Sequence, residues 1–132
     1  LGDNTLIVLV DDSEPIRFAL TELLSSSGYS ILGLESGEQG VKALAELAAA
    51  GRRPAAVVAD LVMNGTPGYD VIVEAKRRFP DCPVIAISGG SPNVEPDLPL
   101  ELAKRRGADV CLRKPFGNDE FLSALAQVTS AR

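Results

Sequence analysis

The sequence predicts a doubly wound α/β fold: a five-stranded parallel sheet covered on both faces by five helices. Three observations point to it. Five short apolar runs alternate with segments of helical periodicity, the order that produces parallel strands joined by crossover helices. The runs are apolar throughout rather than alternately polar, as expected of strands buried on both faces. The 132 residues suit one core and hence one domain spanning 1–132.

The first strand is expected at Leu6–Val10. Ser13-Glu14-Pro15 then reads as a helix start: a hydroxyl cap, an acid in the first turn, and a proline where the missing N–H costs nothing. Ile16, Ala19, Leu20, Leu23 and Leu24 form one apolar face, and Gly28 ends the helix. A second strand is expected at Ser30–Leu34 and a second helix at Gly37–Ala50, with Val41, Leu44, Ala45 and Ala48 on one side and Gly51 as its stop. The third strand is expected at Ala55–Ala59. A turn-rich loop with Gly65, Pro67 and Gly68 comes next, and then a helix from about Tyr69 to Phe79, stopped by Pro80. The fourth strand is expected at Val84–Ser88, before a long connection from Gly89 to Pro99. A short helix, about Leu100 to Arg106, ends at Gly107; the fifth strand is expected at Ala108–Leu112. The last helix, about Asn118 to Thr129, carries Phe121, Leu122, Leu125 and Val128.

Composition narrows the function. A hydrophobic share of 45% fits a folded globular chain. A net charge of −5 disfavours direct contact with nucleic acid. No apolar run approaches the roughly 20 residues needed to span a bilayer, and no signal peptide is visible, so membrane insertion is not expected and a cytoplasmic location is. Cys82 and Cys111 are far apart, with no CxxC spacing, and read as reduced thiols. The absence of histidine excludes Ser-His-Asp and Cys-His catalysis, typical zinc sites and phosphohistidine chemistry within this chain. The chain starts without Met, and Leu1 to Asn4 read as an expression remnant or the edge of an excised domain.

The chemistry sits at the strand ends. Asp11-Asp12 come after the first strand, Asp60 after the third, Ser88-Gly89 close the fourth, and Lys114-Pro115 come after the fifth. In a parallel sheet these ends share one edge, so the groups should converge. Adjacent carboxylates repel unless a cation compensates, which points to a hard-cation site, with Mg2+ the expected ion; a helix cap made by one of the two aspartates is the plainer alternative. A carboxylate such as Asp60, beside a bound cation, can act as a nucleophile toward phosphorus. The Ser88 hydroxyl can donate to a phosphoryl oxygen, with Gly89 and Gly90 keeping the approach clear. Lys114 supplies a point positive charge. Pro115 can hold the bond to Lys114 cis and so fix the lysine's direction, and Phe116 is expected to pack under the last helix.

Taken together, in order, these motifs resemble the receiver domain of bacterial two-component response regulators, from about Thr5 to Thr129. The resemblance implies a flavodoxin-like sheet in the strand order 2-1-3-4-5. It implies that Asp60 accepts a phosphoryl group, that Asp12, Asp60 and the carbonyl of Val62 bind Mg2+ directly, and that Asp11 acts mainly through water. Ser88 would be the switch hydroxyl and Lys114 the phosphate-pairing lysine. The donor would be a histidine on a sensor kinase or phosphotransfer protein. The output would lie on the face of the fourth helix, fifth strand and fifth helix, or in a C-terminal or separate output domain. Such a domain catalyses only its own phosphorylation and dephosphorylation.

Three positions depart from the family pattern. Asn64 stands where proline is usual, Pro67 where aspartate is common, and Cys111 where a tyrosine or phenylalanine normally swings inward. They leave open a phosphorylation-independent pseudo-receiver that acts by protein contact. A metal-dependent phosphatase with an aspartyl nucleophile would need a second Asp where Val62 stands. Cognate kinase, output and oligomeric state are open at this level.

Overall fold

The five apolar runs form one parallel sheet in a computed structural model, which describes residues 5–61, 68–88 and 103–130. The strands are β1 (Leu6–Val10), β2 (Ser30–Leu34), β3 (Ala56–Asp60), β4 (Val84–Ser88) and β5 (Val110–Arg113). Their order is β2-β1-β3-β4-β5, as expected. The three central strands are buried along their whole length, whereas the edges β2 and β5 are only partly covered.

The helices are α1 (Glu14–Ser26), α2 (Gly37–Ala49), α3 (Gly68–Arg78) and a C-terminal helix (Asn118–Ser130). Residues 103–105 are also helical, within the expected fourth helix; residues 100–102 lie outside the described residues, as does the Gly89–Pro99 connection. The caps are local. Ser13 Oγ accepts from Ile16 N, and Ser36 Oγ accepts from Gln39 N at 3.1 Å while Gln39 Oε1 accepts from Glu35 N. Gly28 takes φ 94°, which a side chain would disfavour, to turn α1 into β2.

Alternate strand residues feed two cores. Leu6, Val8, Val10, Val57 and Ala59 pack with α2 and α3. Ile7, Leu9, Val58, Ile85 and Ile87 pack with α1 and the C-terminal helix, around the buried Phe121. Two strands, β3 and β5, differ from expectation at both ends. β3 runs one residue later because Asp60 itself pairs with Ile87. β5 starts at Val110 because Ala108 N still donates to Ala103 O, closing the preceding helical turn.

Candidate functional site

Register decides which groups meet at the sheet edge. Val10 pairs with Ala59, so Asp11 emerges from β1 beside Asp60 at the end of β3. Asp60 pairs with Ile87 and Ser88 with Arg113, which bring Ser88 and Lys114 to the same edge. The Lys114 N–H extends this pairing, donating to Ser88 O at 2.8 Å.

Asp11 is fully buried. Its N–H donates to Leu34 O at 3.1 Å, and its carbonyl accepts from Arg17 Nη1 at 2.7 Å. Its Oδ1 accepts from Ser13 N at 2.9 Å, and Oδ2 faces Lys114 Nζ at 3.3 Å. Asp60 is 3% exposed and presents Oδ2 to the same ammonium at 3.1 Å. Asp12 is exposed, yet its carboxylate joins those of Asp11 and Asp60, with one oxygen from each within 4.8 Å of the others.

Lys114 therefore reaches two buried carboxylates. Burial disfavours its charge, but the facing Asp60 and Asp11 outweigh that, so its pKa lies above the usual lysine value. The Lys114–Pro115 bond is cis. Phe116 stacks on Phe121, ring centroids 5.7 Å apart, so it packs against the C-terminal helix as expected. An open, mostly apolar groove of about 350 Å³ lies beside Lys114, walled by Ile16, Ala19 and Leu20 on one side and Pro115 and Phe116 on the other.

Three carboxylates against one ammonium leave a formal surplus of two negative charges. The donors are hard oxygens without thiol or imidazole, the set a small divalent cation prefers. The residues present thus fit the ion the sequence implies. Val62 lies outside the described residues.

Away from this edge, Cys111 on β5 is half-buried; burial pushes its thiol pKa up, opposed by Lys104. Tyr69, the second residue of α3, packs on the same core as Cys111. Burial raises its phenol pKa, opposed by Arg106, whose guanidinium lies 5.4 Å from the ring centroid. The Arg17 contact was not anticipated from sequence: a side chain that binds a main-chain oxygen leaves no pattern to read.

Residues 7–126 match the family model of the response regulator receiver domain. Response regulator MprA of a Mycobacterium species (strain KMS) is 33% identical over 119 residues, which are 90% of this chain and 48% of that protein. The response regulator receiver protein of Sinorhizobium medicae WSM419 superposes with a TM-score of 0.79 at 25% identity, covering 96% of this chain and 95% of that one. The receiver domain of a sensor histidine kinase from Pseudomonas aeruginosa PAO1, solved with a magnesium ion in its active-site cleft, superposes with a TM-score of 0.79 at 23% identity, covering 96% and 98%. The chain spans 26%, 44% and 48% of three curated relatives it matches.

Proposed function

The chain belongs to the response regulator receiver family, and from that premise we propose that Asp60 accepts a phosphoryl group from a partner phosphohistidine in a Mg2+-dependent step. The observation that carries the reading is the meeting of Asp11, Asp12 and Asp60 around one point, with Lys114 bonded to two of them.

In this reading Asp12, Asp60 and the Val62 carbonyl would hold the cation directly, and Asp11 would act through water. The bound cation supplies positive charge to the phosphoryl oxygens as the group transfers. An Asp60 carboxylate oxygen attacks phosphorus in line; the new P–O bond forms as the P–N bond of the phosphohistidine breaks, and the electron pair returns to the imidazole. Lys114 exchanges a carboxylate contact for a phosphoryl oxygen, and the Ser88 hydroxyl donates to another. Both contacts would bias a two-state change read out near β5. The domain is a signalling module whose only catalysis is on itself.

The groove supports a protein donor, because it offers an apolar wall beside Lys114, the residue bonded to two of the carboxylates. A sensor kinase or phosphotransfer protein is the donor proposed. No helix among the described residues is long and apolar enough to cross a membrane, and a cytoplasmic setting is proposed with that donor.

The test is labelling with acetyl phosphate in the presence and absence of Mg2+, with the modified residue mapped by mass spectrometry. Modification of Asp60 that needs Mg2+ and vanishes in D60N is expected. A folded chain that takes no label under any condition would instead favour the pseudo-receiver.

A further inference from the structure

We propose that Arg17 is a positioning residue for the cation site: it fixes the plane of the Asp11–Asp12 peptide and so aims the Asp12 carboxylate. The inference rests on the proposed cation site.

Arg17 lies on the first turn of α1, and its N–H donates to Ser13 O at 2.9 Å. Helical side chains lean toward their own N-terminus, so Arg17 folds back over the β1–α1 corner. There its Nη1 donates to the Asp11 carbonyl at 2.7 Å, a short charge-assisted bond. Its stem lies beside β2, where a Cβ on Gly33 would sit 4.0 Å from Arg17 Cδ. The half-buried side chain thus runs past β2 to the β1–α1 corner, where the Asp11 carbonyl holds its guanidinium.

The Asp11 oxygen and the Asp12 nitrogen belong to one rigid plane. Arg17 holds that plane at its oxygen, while Leu34 O, Ser13 N and Lys114 hold Asp11 itself. The plane sets the direction in which Asp12 leaves the chain. Asp12 is the exposed member of the carboxylate trio, so packing constrains it less than the other two, and the backbone beneath it matters more. Outer contacts of this kind commonly change metal affinity by about tenfold or more when lost.

Electrostatics alone predicts the opposite sign. Arg17 carries a positive charge next to the site, and removing it should tighten cation binding. The sign of the change therefore separates aiming from charge.

The experiment measures Mn2+ affinity of wild type, R17Q and R17K by electron paramagnetic resonance, with thermal unfolding alongside. The expected result is a dissociation constant about tenfold higher in R17Q, with R17K between it and wild type. Unchanged or tighter binding in R17Q overturns the proposal. If R17Q does not fold, R17K decides: it keeps the charge and loses the planar fork, so weaker Mn2+ binding than wild type supports aiming and equal binding overturns it. A wild type that binds no Mn2+ overturns the cation reading itself, whereas a binding wild type matched by its variants overturns only the role of Arg17.

Discussion

Gly68 presses against the main-chain carbonyl of Asp60: a Cβ at Gly68 would lie 2.0 Å from that oxygen and 2.8 Å from its carbon. Both atoms are backbone at the buried end of β3, so neither can swing aside. The start of α3 and the proposed phosphoacceptor thus form one tight joint. G68A is expected to destabilise the fold by about 2–3 kcal/mol, the upper range for overpacking. Urea unfolding measures the loss. Acetyl phosphate labelling of Asp60 should fall further than the folded fraction does, because the added methyl displaces the nucleophile's own backbone. A variant with wild-type stability and labelling would show that the joint can relax.

The sequence made the site legible through a topological rule. Apolar runs fixed the strands, and a parallel sheet must gather the residues at their C-terminal ends, so Asp11, Asp12, Asp60 and Lys114 could be grouped without coordinates. The same reasoning placed β3 one residue early. Asp60 reads as the polar residue after a strand, but its pairing with Ile87 makes it part of the ladder. Contacts to main-chain atoms were invisible for a different reason. Arg17 on the Asp11 carbonyl and Lys76 on the Cys82 carbonyl depend on backbone acceptors, which every residue carries alike. The Lys76–Asp109 pair joins residues 33 apart, and neither residue sits just after a strand, so no rule directed attention there.

That pair forms a fastening for the end of the sheet opposite the site. Asp109 Oδ2 accepts from Lys76 Nζ and from Val84 N, both at 2.8 Å, and Lys76 Nζ also donates to Cys82 O at 2.8 Å. D109A would leave the Val84 N–H without this acceptor at the start of β4. A loss of about 1–3 kcal/mol in chemical denaturation is expected, the usual cost of orphaning a buried donor. D109N keeps an acceptor oxygen and should lose less. Equal losses in the two variants would mean that the ion pair, not the bond to Val84, carries the effect.

The two thiols should report their surroundings through pH. Burial raises the Cys111 pKa and Lys104 opposes it. The thiolate attacks the methylene carbon of iodoacetamide and displaces iodide, so alkylation of Cys111 should show a pH profile displaced above that of a free cysteine, and K104Q should displace it further. Cys82 is fully buried and should react only when the chain unfolds. A raised folded-state pKa means the native state holds its proton longer, so this contribution to stability is present below the unfolded thiol's pKa and fades as pH rises through the folded value. Peptide mapping after timed alkylation measures both rates; a Cys111 profile at or below the ordinary thiol range would contradict the burial argument.

Lys114 and a divalent cation should act as competitors for the same carboxylates. The ammonium already bridges Asp11 and Asp60, and those two carboxylates raise its pKa against the cost of burial. K114M removes that counter-charge and leaves two buried carboxylates facing each other. In EDTA the variant should be less stable than wild type by about 2–3 kcal/mol, somewhat below the cost of breaking a fully buried pair because Lys114 is 21% exposed. Added Mg2+ should narrow the gap, since the site now meets the ion without a rival positive charge and its dissociation constant should fall about three- to tenfold. Phosphoryl transfer should nevertheless slow, because the lysine that would pair with the phosphoryl oxygens is gone. Unfolding midpoints measured across a Mg2+ titration separate these effects. A steeper rise for K114M than for wild type supports the competition, whereas parallel curves would mean that Lys114 and the cation occupy the edge independently.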